Sequence, residues 1–196
     1  MRYLCFVTLL FFTILSCNRK SEIDNNPIQF VNEDPIIYKI IYDDMKDGDS
    51  LTQYIIIDST VSVKAAVDTN LIAGIKYFQL KTKVQLDSSL IVDFMGNSEK
   101  QSKISLSNDS GLIYISFNKL HSIGDWASFW KNYYKTYGNT KGYAEFSNIG
   151  YNVKKNEAFI YSSVSCGEKC GEGYYYFLKK INGKWEICNK RRLWIS

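Results

Sequence analysis

The dipeptide Asn182-Gly183 constrains the fold of this chain more than any other feature, because it lies between two apolar runs and is typical of a two-residue hairpin turn. Pairing Ile181 with Lys184 fixes the register of both strands. That register predicts four further pairs, which are Lys180–Trp185, Lys179–Glu186, Leu178–Ile187 and Phe177–Cys188. It brings opposite charges together on one face of the hairpin and apolar side chains together on the other. The chain is therefore predicted to end in antiparallel strands.

A second hairpin is predicted just before the first one. If residues 157–165 pair with residues 172–181, Cys166 and Cys170 face each other across a three-residue loop. Opposed residues in antiparallel strands have Cα atoms about 4.5–5.5 Å apart, which is within the range of a disulfide. We predict a Cys166–Cys170 bond, which leaves Cys188 as a free and buried thiol. Bonds from Cys188 to either of the other two stay open as alternatives.

Two main helices are predicted upstream of the hairpins. The first begins at Asp34 and Pro35, and its apolar residues recur at helical spacing: Ile36, Ile37, Ile40, Ile41 and Met45. The second covers about 125–137, and its aromatic residues form one stripe that we interpret as core: Trp126, Phe129, Trp130, Tyr133 and Tyr137.

The region between these helices is less clearly patterned. Residues 51–58 and 112–117 are predicted strands, and a short helix capped at Asp87 or Ser88 is predicted to run through Phe94. Residues 61–85 fit strand or helix. The whole pattern predicts an α+β domain: a mostly antiparallel sheet with a C-terminal β-meander and the two main helices packed on one face.

The sequence offers little catalytic or metal-binding chemistry. His121 is the only histidine, which excludes triads and multi-histidine metal sites within this chain. The C-x3-C spacing does not fit a zinc site, and the acidic stretch 43–49 fails the calcium-loop template. We therefore predict no catalytic residue, metal or cofactor. If the protein were a hydrolase, its carboxylates would come from a set such as Asp87, Asp93, Glu145 and Glu172.

One strand is a candidate for ligand binding. In the run from Gly173 to Phe177, Tyr174 and Tyr176 alternate with Tyr175 and Phe177, so each face of the strand carries two rings. Either pair could form an exposed aromatic platform for a glycan or a peptide. Burial of the rings under a helix is the competing interpretation. The net charge of +4 is too small and too evenly spread for a nucleic-acid partner.

The start of the chain is typical of an export signal. Met1-Arg2 gives a positive end, and the apolar run over residues 4–15 is too short to span a bilayer. The run ends in Ile14-Leu15-Ser16-Cys17, which resembles the lipobox of bacterial lipoproteins. That resemblance implies cleavage before Cys17 and lipidation of its thiol, and Asn18 after it implies the outer membrane rather than the inner one. An ordinary signal peptide or a buried N-terminal helix is the alternative.

This interpretation organises the rest of the chain. Residues 1–17 are predicted to be the signal peptide that ends at lipidated Cys17, residues 18–33 a flexible tether, and residues 34–196 a single globular domain. Export also brings the cysteines into an oxidising compartment, which favours the Cys166–Cys170 bond.

The C-terminal third resembles a group of uncharacterised bacterial lipoproteins. The resemblance covers about residues 125–196 and rests on these segments: Trp126 with Phe129, Phe146 to Asn152, Ala158 to Tyr161, Cys166-Gly167, Cys170 to Gly173, Gly183 to Trp185 and Leu193 to Ser196. It implies an exported α+β protein and supplies no catalytic residues. We predict a non-enzymatic envelope protein that binds a protein or small ligand, for example an immunity-type lipoprotein. A carboxylate-dependent hydrolase and a purely structural lipoprotein are the alternatives.

Overall fold

The protein's architecture is taken from a computed structural model, which describes residues 34–46, 53–63, 70–107, 111–125 and 127–196. The predictions for residues 1–17, for lipidated Cys17, for the tether over 18–33 and for Trp126 lie outside these residues. Among the residues described, no helix is both long and apolar enough to cross a bilayer.

The described residues form one seven-stranded mixed sheet. Its strands are β1 (Ile55–Ile57), β2 (Tyr114–Ile115), β3 (Tyr143–Phe146), β4 (Gly150–Tyr151), β5 (Glu157–Gly167), β6 (Cys170–Ile181) and β7 (Lys184–Ile195). The strand order is β2-β1-β3-β5-β6-β7, with β4 paired to β5. Strand β1 is parallel to both β2 and β3, and the other pairs are antiparallel. The predicted α+β class with a mostly antiparallel sheet and a C-terminal meander is confirmed.

Five helices accompany the sheet in the described residues. They are α1 (Asp34–Met45), α2 (Leu71–Thr82), α3 (Ser88–Asn97), α4 (Phe117–His121) and α5 (Phe129–Tyr137). The prediction for α1 is confirmed, and α3 has the predicted cap, because the Asp87 carboxylate accepts the backbone N–H of Ser89 at 2.8 Å. Helix α5 begins later than predicted. Asp125 instead accepts the N–H of Ser128 at 2.9 Å and closes a turn before the helix.

The helices cover both faces of the sheet, so the prediction that they pack on one face was wrong. Helix α1 packs on the face that carries Ile160, Tyr176 and Leu178, which we call the α1 face. On the opposite face, α2 and α3 cover Phe159, Tyr161, Tyr175 and Phe177, and α4 and α5 cover Ile55, Ile57 and Ile115. Alternation along the strands makes this possible, because neighbouring residues supply apolar side chains to both layers.

The terminal hairpin has the predicted turn and most of the predicted register. Asn182 and Gly183 both have positive φ, 50° and 80°, as a type I′ turn requires. The predicted pairs from Ile181–Lys184 to Leu178–Ile187 are confirmed. The next predicted pair is wrong, because Phe177 pairs with Asn189 rather than with Cys188. A β-bulge at this point explains the change, because it adds one residue to β7. Cys188 is consequently a free thiol that is exposed and not buried as predicted.

The second hairpin brings Cys166 and Cys170 to disulfide-bonding distance, with their Cα atoms 5.0 Å apart. Its loop is shorter than predicted, because the strands continue until Gly167 pairs with Cys170. A register shift between Ser165 and Gly167 takes up Cys166. The two cysteines therefore lie at the end of a hairpin, where the strand pairing is irregular.

Replacing both cysteines of this pair by serine should cost about 1–2 kcal/mol in the free energy of unfolding, because a bond that closes so short a loop removes little chain entropy from the unfolded state. Urea unfolding of the oxidised protein and of the Cys166→Ser/Cys170→Ser variant measures the difference. Cys188→Ser is the matched control and should leave the midpoint unchanged, since that thiol is exposed and free. Equal midpoints for all three proteins would contradict a structural bond.

Candidate functional site

A row of polar side chains crosses the face of the sheet opposite α1. Tyr143 and Glu145 lie two residues apart on β3 and so share a face, and the register places them opposite Ser165 and Ser163 of β5. The Ser163 hydroxyl donates to Glu145 Oε2 at 3.2 Å. This row lies between the core under α2 and α3 and the core under α4 and α5. Two cavities open along it, and together with the row they form what we call the β3 groove.

The larger cavity lies where the parallel strands end, and we call it the strand-end cavity. Its volume is about 400 Å³. The end of β1 and the residues after it, the first residue of α4, two carboxylates and one amide line it: Ile57, Ser59, Thr60, Val61, Ser62, Phe117, Glu99, Glu145 and Gln101. Strand β1 lies between β2 and β3 and is parallel to both, and its last residue, Ile57, lines the cavity at the carboxyl end of the strand.

Glu145 is the electrostatically unusual group of this cavity. Burial raises the pKa of its carboxyl above the usual glutamate range, and the hydrogen bond from Ser163 opposes that rise. A carboxylic acid that holds its proton to higher pH can donate a hydrogen bond or act as a general acid.

Replacing Glu145 by glutamine should make the stability of the protein less dependent on pH. Because the folded state raises this pKa, the wild type loses stability relative to Glu145→Gln as the pH rises from the ordinary glutamate range, about 4.3, through the raised value. Chemical unfolding of both proteins at a series of pH values from 4 to 8 checks this. Ser163→Ala should move the transition to higher pH, because it removes the hydrogen bond that favours the charged form. A stability difference that stays constant over this range would contradict the assignment.

The smaller cavity, which we call the aromatic cavity, has a volume of about 280 Å³. Half-buried rings from two elements line it, namely Phe129 and Trp130 of α5 and Tyr143 of β3. Cys170 and Glu168 reach it from the hairpin with the cysteine pair, and the remaining lining residues are His121, Gly124, Ser165, Gly167 and Ser196. The elements that line this cavity are distant from one another in the sequence. No local sequence pattern therefore predicts it.

The aromatic stripe of α5 is only partly core. Tyr133 is fully buried and its hydroxyl lies 3.0 Å from Thr140 Oγ1, as a core interpretation predicts. Phe129 and Trp130 lie beside it and remain half-buried because they border the aromatic cavity. The predicted stripe therefore contains both a core residue and residues that line a cavity.

Helix α4 separates the two cavities. Phe117 at its start lines the strand-end cavity, and His121 at its end lines the aromatic cavity. Their rings lie 4.1 Å apart between centroids. His121 was predicted to be a loop residue, and it instead ends a short helix because Ser116 caps the start of α4 by accepting the N–H of Lys119 at 3.3 Å.

The predicted aromatic platform is largely core. Tyr175 and Phe177 are buried under α2 and α3, and Tyr176 is buried under α1, so the competing interpretation of burial holds for these three rings. Tyr174 is half-buried, and its hydroxyl donates to Glu172 Oε2 at 2.5 Å. The platform fails because helices cover both faces of β6, which the alternating pattern alone does not reveal.

The carboxylates considered for a hydrolase do not converge. Asp87 caps α3, and Asp93 accepts the backbone N–H of Tyr151 at 2.8 Å, so both have structural roles. Glu172 pairs with Val164, which packs on the α1 face, whereas Glu145 lies on the opposite face. The acid that does share a cavity with Glu145 is Glu99, which the sequence analysis did not single out. No periodic signal marks it, because it lies in the turn after α3.

In the described part of the chain, no group of three or more His, Cys, Asp or Glu side chains is placed to hold a metal ion. No protein-family model, curated protein or solved structure matches the chain.

Proposed function

We propose that this protein is a bacterial lipoprotein of the cell envelope, anchored through Cys17 and more suited to the outer membrane than to the inner one. The resemblance of Ile14-Leu15-Ser16-Cys17 to a lipobox supports the anchor. Mass spectrometry of the protein from its native host tests it. Acylated Cys17 at the mature N-terminus is the expected result, and an unmodified Cys17 thiol in that host would overturn the proposal.

The function that the geometry supports best is ligand binding without catalysis. The observation that carries this proposal is the β3 groove, in which three half-buried rings border the aromatic cavity and the exposed ring of Phe117 borders the strand-end cavity. Ring surface left beside an open cavity is typical of a binding site, since a packed core would cover it. The partner is therefore a small molecule, or a small group of a larger partner, that enters this groove.

Thermal unfolding of the full chain with a panel of small envelope components tests this function. A ligand of the folded state raises the Tm by mass action. The rise should be reduced in Phe117→Ala or in Trp130→Phe, which alter one cavity each, and retained in Val153→Ala, an 86% exposed position outside both cavities. A panel with no effect, or an effect equal in all variants, would contradict binding in the groove.

A hydrolase that uses carboxylates is the second candidate, and one observation favours it. Glu145 has a raised pKa and shares the strand-end cavity with a second carboxyl group, that of Glu99. Turnover of a glycoside or ester substrate that both Glu145→Gln and Glu99→Gln abolish would favour this candidate over binding alone. Turnover that persists in both variants would exclude this pair of acids.

A further inference from the structure

We propose that the aromatic cavity binds a quaternary ammonium group, such as the trimethylammonium of a choline compound. This inference rests on the proposed binding function and specifies the ligand for one of the two cavities. It is carried by the arrangement of the rings, by the charge of the lining and by its hydrogen-bonding chemistry.

The rings are close enough together to act on one cation. The centroids of Phe129 and Trp130 are 5.2 Å apart, those of Trp130 and Tyr143 are 5.8 Å apart, and those of Phe129 and Tyr143 are 6.4 Å apart. A cation in the cavity can therefore lie within about 6 Å of more than one centroid, and it is attracted where it lies over the face of a ring. Trp130 and Tyr143 are nearly parallel, with 12° between their planes.

The charge of the lining matches a cation. Among the residues that the structure describes, the lining of the aromatic cavity has one acidic side chain, that of Glu168 in the turn between β5 and β6, and no Lys or Arg. This contrasts with the chain as a whole, which has 24 Lys and Arg against 20 Asp and Glu. A positive ligand would therefore be attracted to the cavity in spite of the positive net charge of the protein.

The hydrogen-bonding chemistry favours a quaternary over a primary ammonium. A primary ammonium has three N–H donors and loses free energy for each one that faces the rings rather than Glu168 or a serine hydroxyl. The rings offer π faces, whereas a trimethylammonium has no N–H to satisfy and can pack its methyl groups against them. The volume of about 280 Å³ lies just below the range of about 300–1,000 Å³ for drug-sized sites, so it suits a head group better than a large ligand.

Isothermal titration of the full chain with choline, in a polyoxyethylene detergent that carries neither charge nor sugar, tests the proposal. The control ligand is 3,3-dimethylbutan-1-ol, which has the shape of choline without its charge. We expect choline to bind about 5- to 10-fold more tightly than this isostere, because the cation–π term acts only on the charged ligand. Glycerophosphocholine distinguishes a lipid head group from free choline, and tight binding of either compound supports the proposal.

Variants connect the binding to this cavity. Glu168→Gln should weaken choline about 3-fold and leave the isostere unchanged, since only the cation interacts with the carboxylate. Glu186→Gln, at an exposed position on β7 outside the cavity, should change neither. Trp130→Leu should remove most of the choline binding, and Trp130→Phe should restore part of it.

Three results would overturn the proposal. The first is equal binding of choline and its isostere, which would make the cavity a hydrophobic site. The second is choline binding that Glu168→Gln and both Trp130 variants leave unchanged. The third is no binding of choline or glycerophosphocholine while another compound raises the Tm through the groove. In the third case the proposed binding function stands and only the ligand class fails, whereas the absence of any ligand would contradict both.

Discussion

Replacing Phe159 by alanine should lower the free energy of unfolding by about 3–5 kcal/mol. The ring is 1% exposed and lies 5.1 Å from Phe78, 5.0 Å from Phe94 and 4.9 Å from Tyr175, measured between centroids. It thus contacts α2, α3 and β6 at once. Removing it leaves a cavity that its neighbours cannot fill without moving backbone, and it also removes three aromatic contacts.

Urea unfolding followed by far-UV circular dichroism measures this loss. Phe159→Leu should cost less than the alanine variant, because it keeps most of the apolar volume. Val153→Ala serves as the surface control, since Val153 is 86% exposed. A loss of less than about 1.5 kcal/mol for Phe159→Ala would mean that α2 and α3 do not pack on β5 as described.

Replacing Gly150 by alanine should destabilise the fold by at least about 3 kcal/mol, because the new methyl group would collide with a helix backbone. A Cβ placed at Gly150 would lie 2.6 Å from the backbone N and Cα of Phe94 and 2.5 Å from its Cβ. These atoms belong to α3 and cannot rotate away as the end of a side chain could. Helix α3 would have to move off β4 and lose its contacts with the sheet.

Gly96→Ala is the matched control for this prediction, because it makes the same chemical change within α3, the helix whose backbone Gly150 approaches. A Cβ at Gly96 meets nothing within 4 Å. That variant should be neutral or up to about 1 kcal/mol more stable, since alanine favours helix more than glycine does. Similar stabilities for Gly150→Ala and Gly96→Ala, measured by the same unfolding experiment, would show that α3 does not approach β4 this closely.

Local patterns predicted the parts of the fold that depend on neighbouring residues. The turn at Asn182-Gly183 and the start of α1 at Asp34 follow from turn and helix chemistry within a few residues. The bulge at Cys188 and the parallel pairing of β1 with β2 and β3 have no such local cause. They are set by packing against elements that are distant in the sequence. The periodicity of one segment carries no information about such packing.

The candidate site was harder to predict than the fold for the same reason. Tyr143 and Glu145 alternate along β3 much as Tyr174 and Tyr176 alternate along β6. The difference is that α1 covers Tyr176, whereas the neighbours of Tyr143 and Glu145 leave two cavities open. Which face stays uncovered depends on where the helices pack, and this cannot be determined from the alternation of one strand.

The position of β1 in the sheet has a consequence for how the protein reaches its native state. Strands β5, β6 and β7 follow one another through tight turns, so their pairing needs only small loops to close. Strand β1 is instead separated from β2 and β3 by long segments of the chain. Its pairing with them must close long loops, which is slow. The strand-end cavity needs this pairing, because Ile57 and the residues that follow β1 line it. A chain that had formed its C-terminal meander but had not yet joined β1 to β3 would be folded over much of its length and would still lack this cavity.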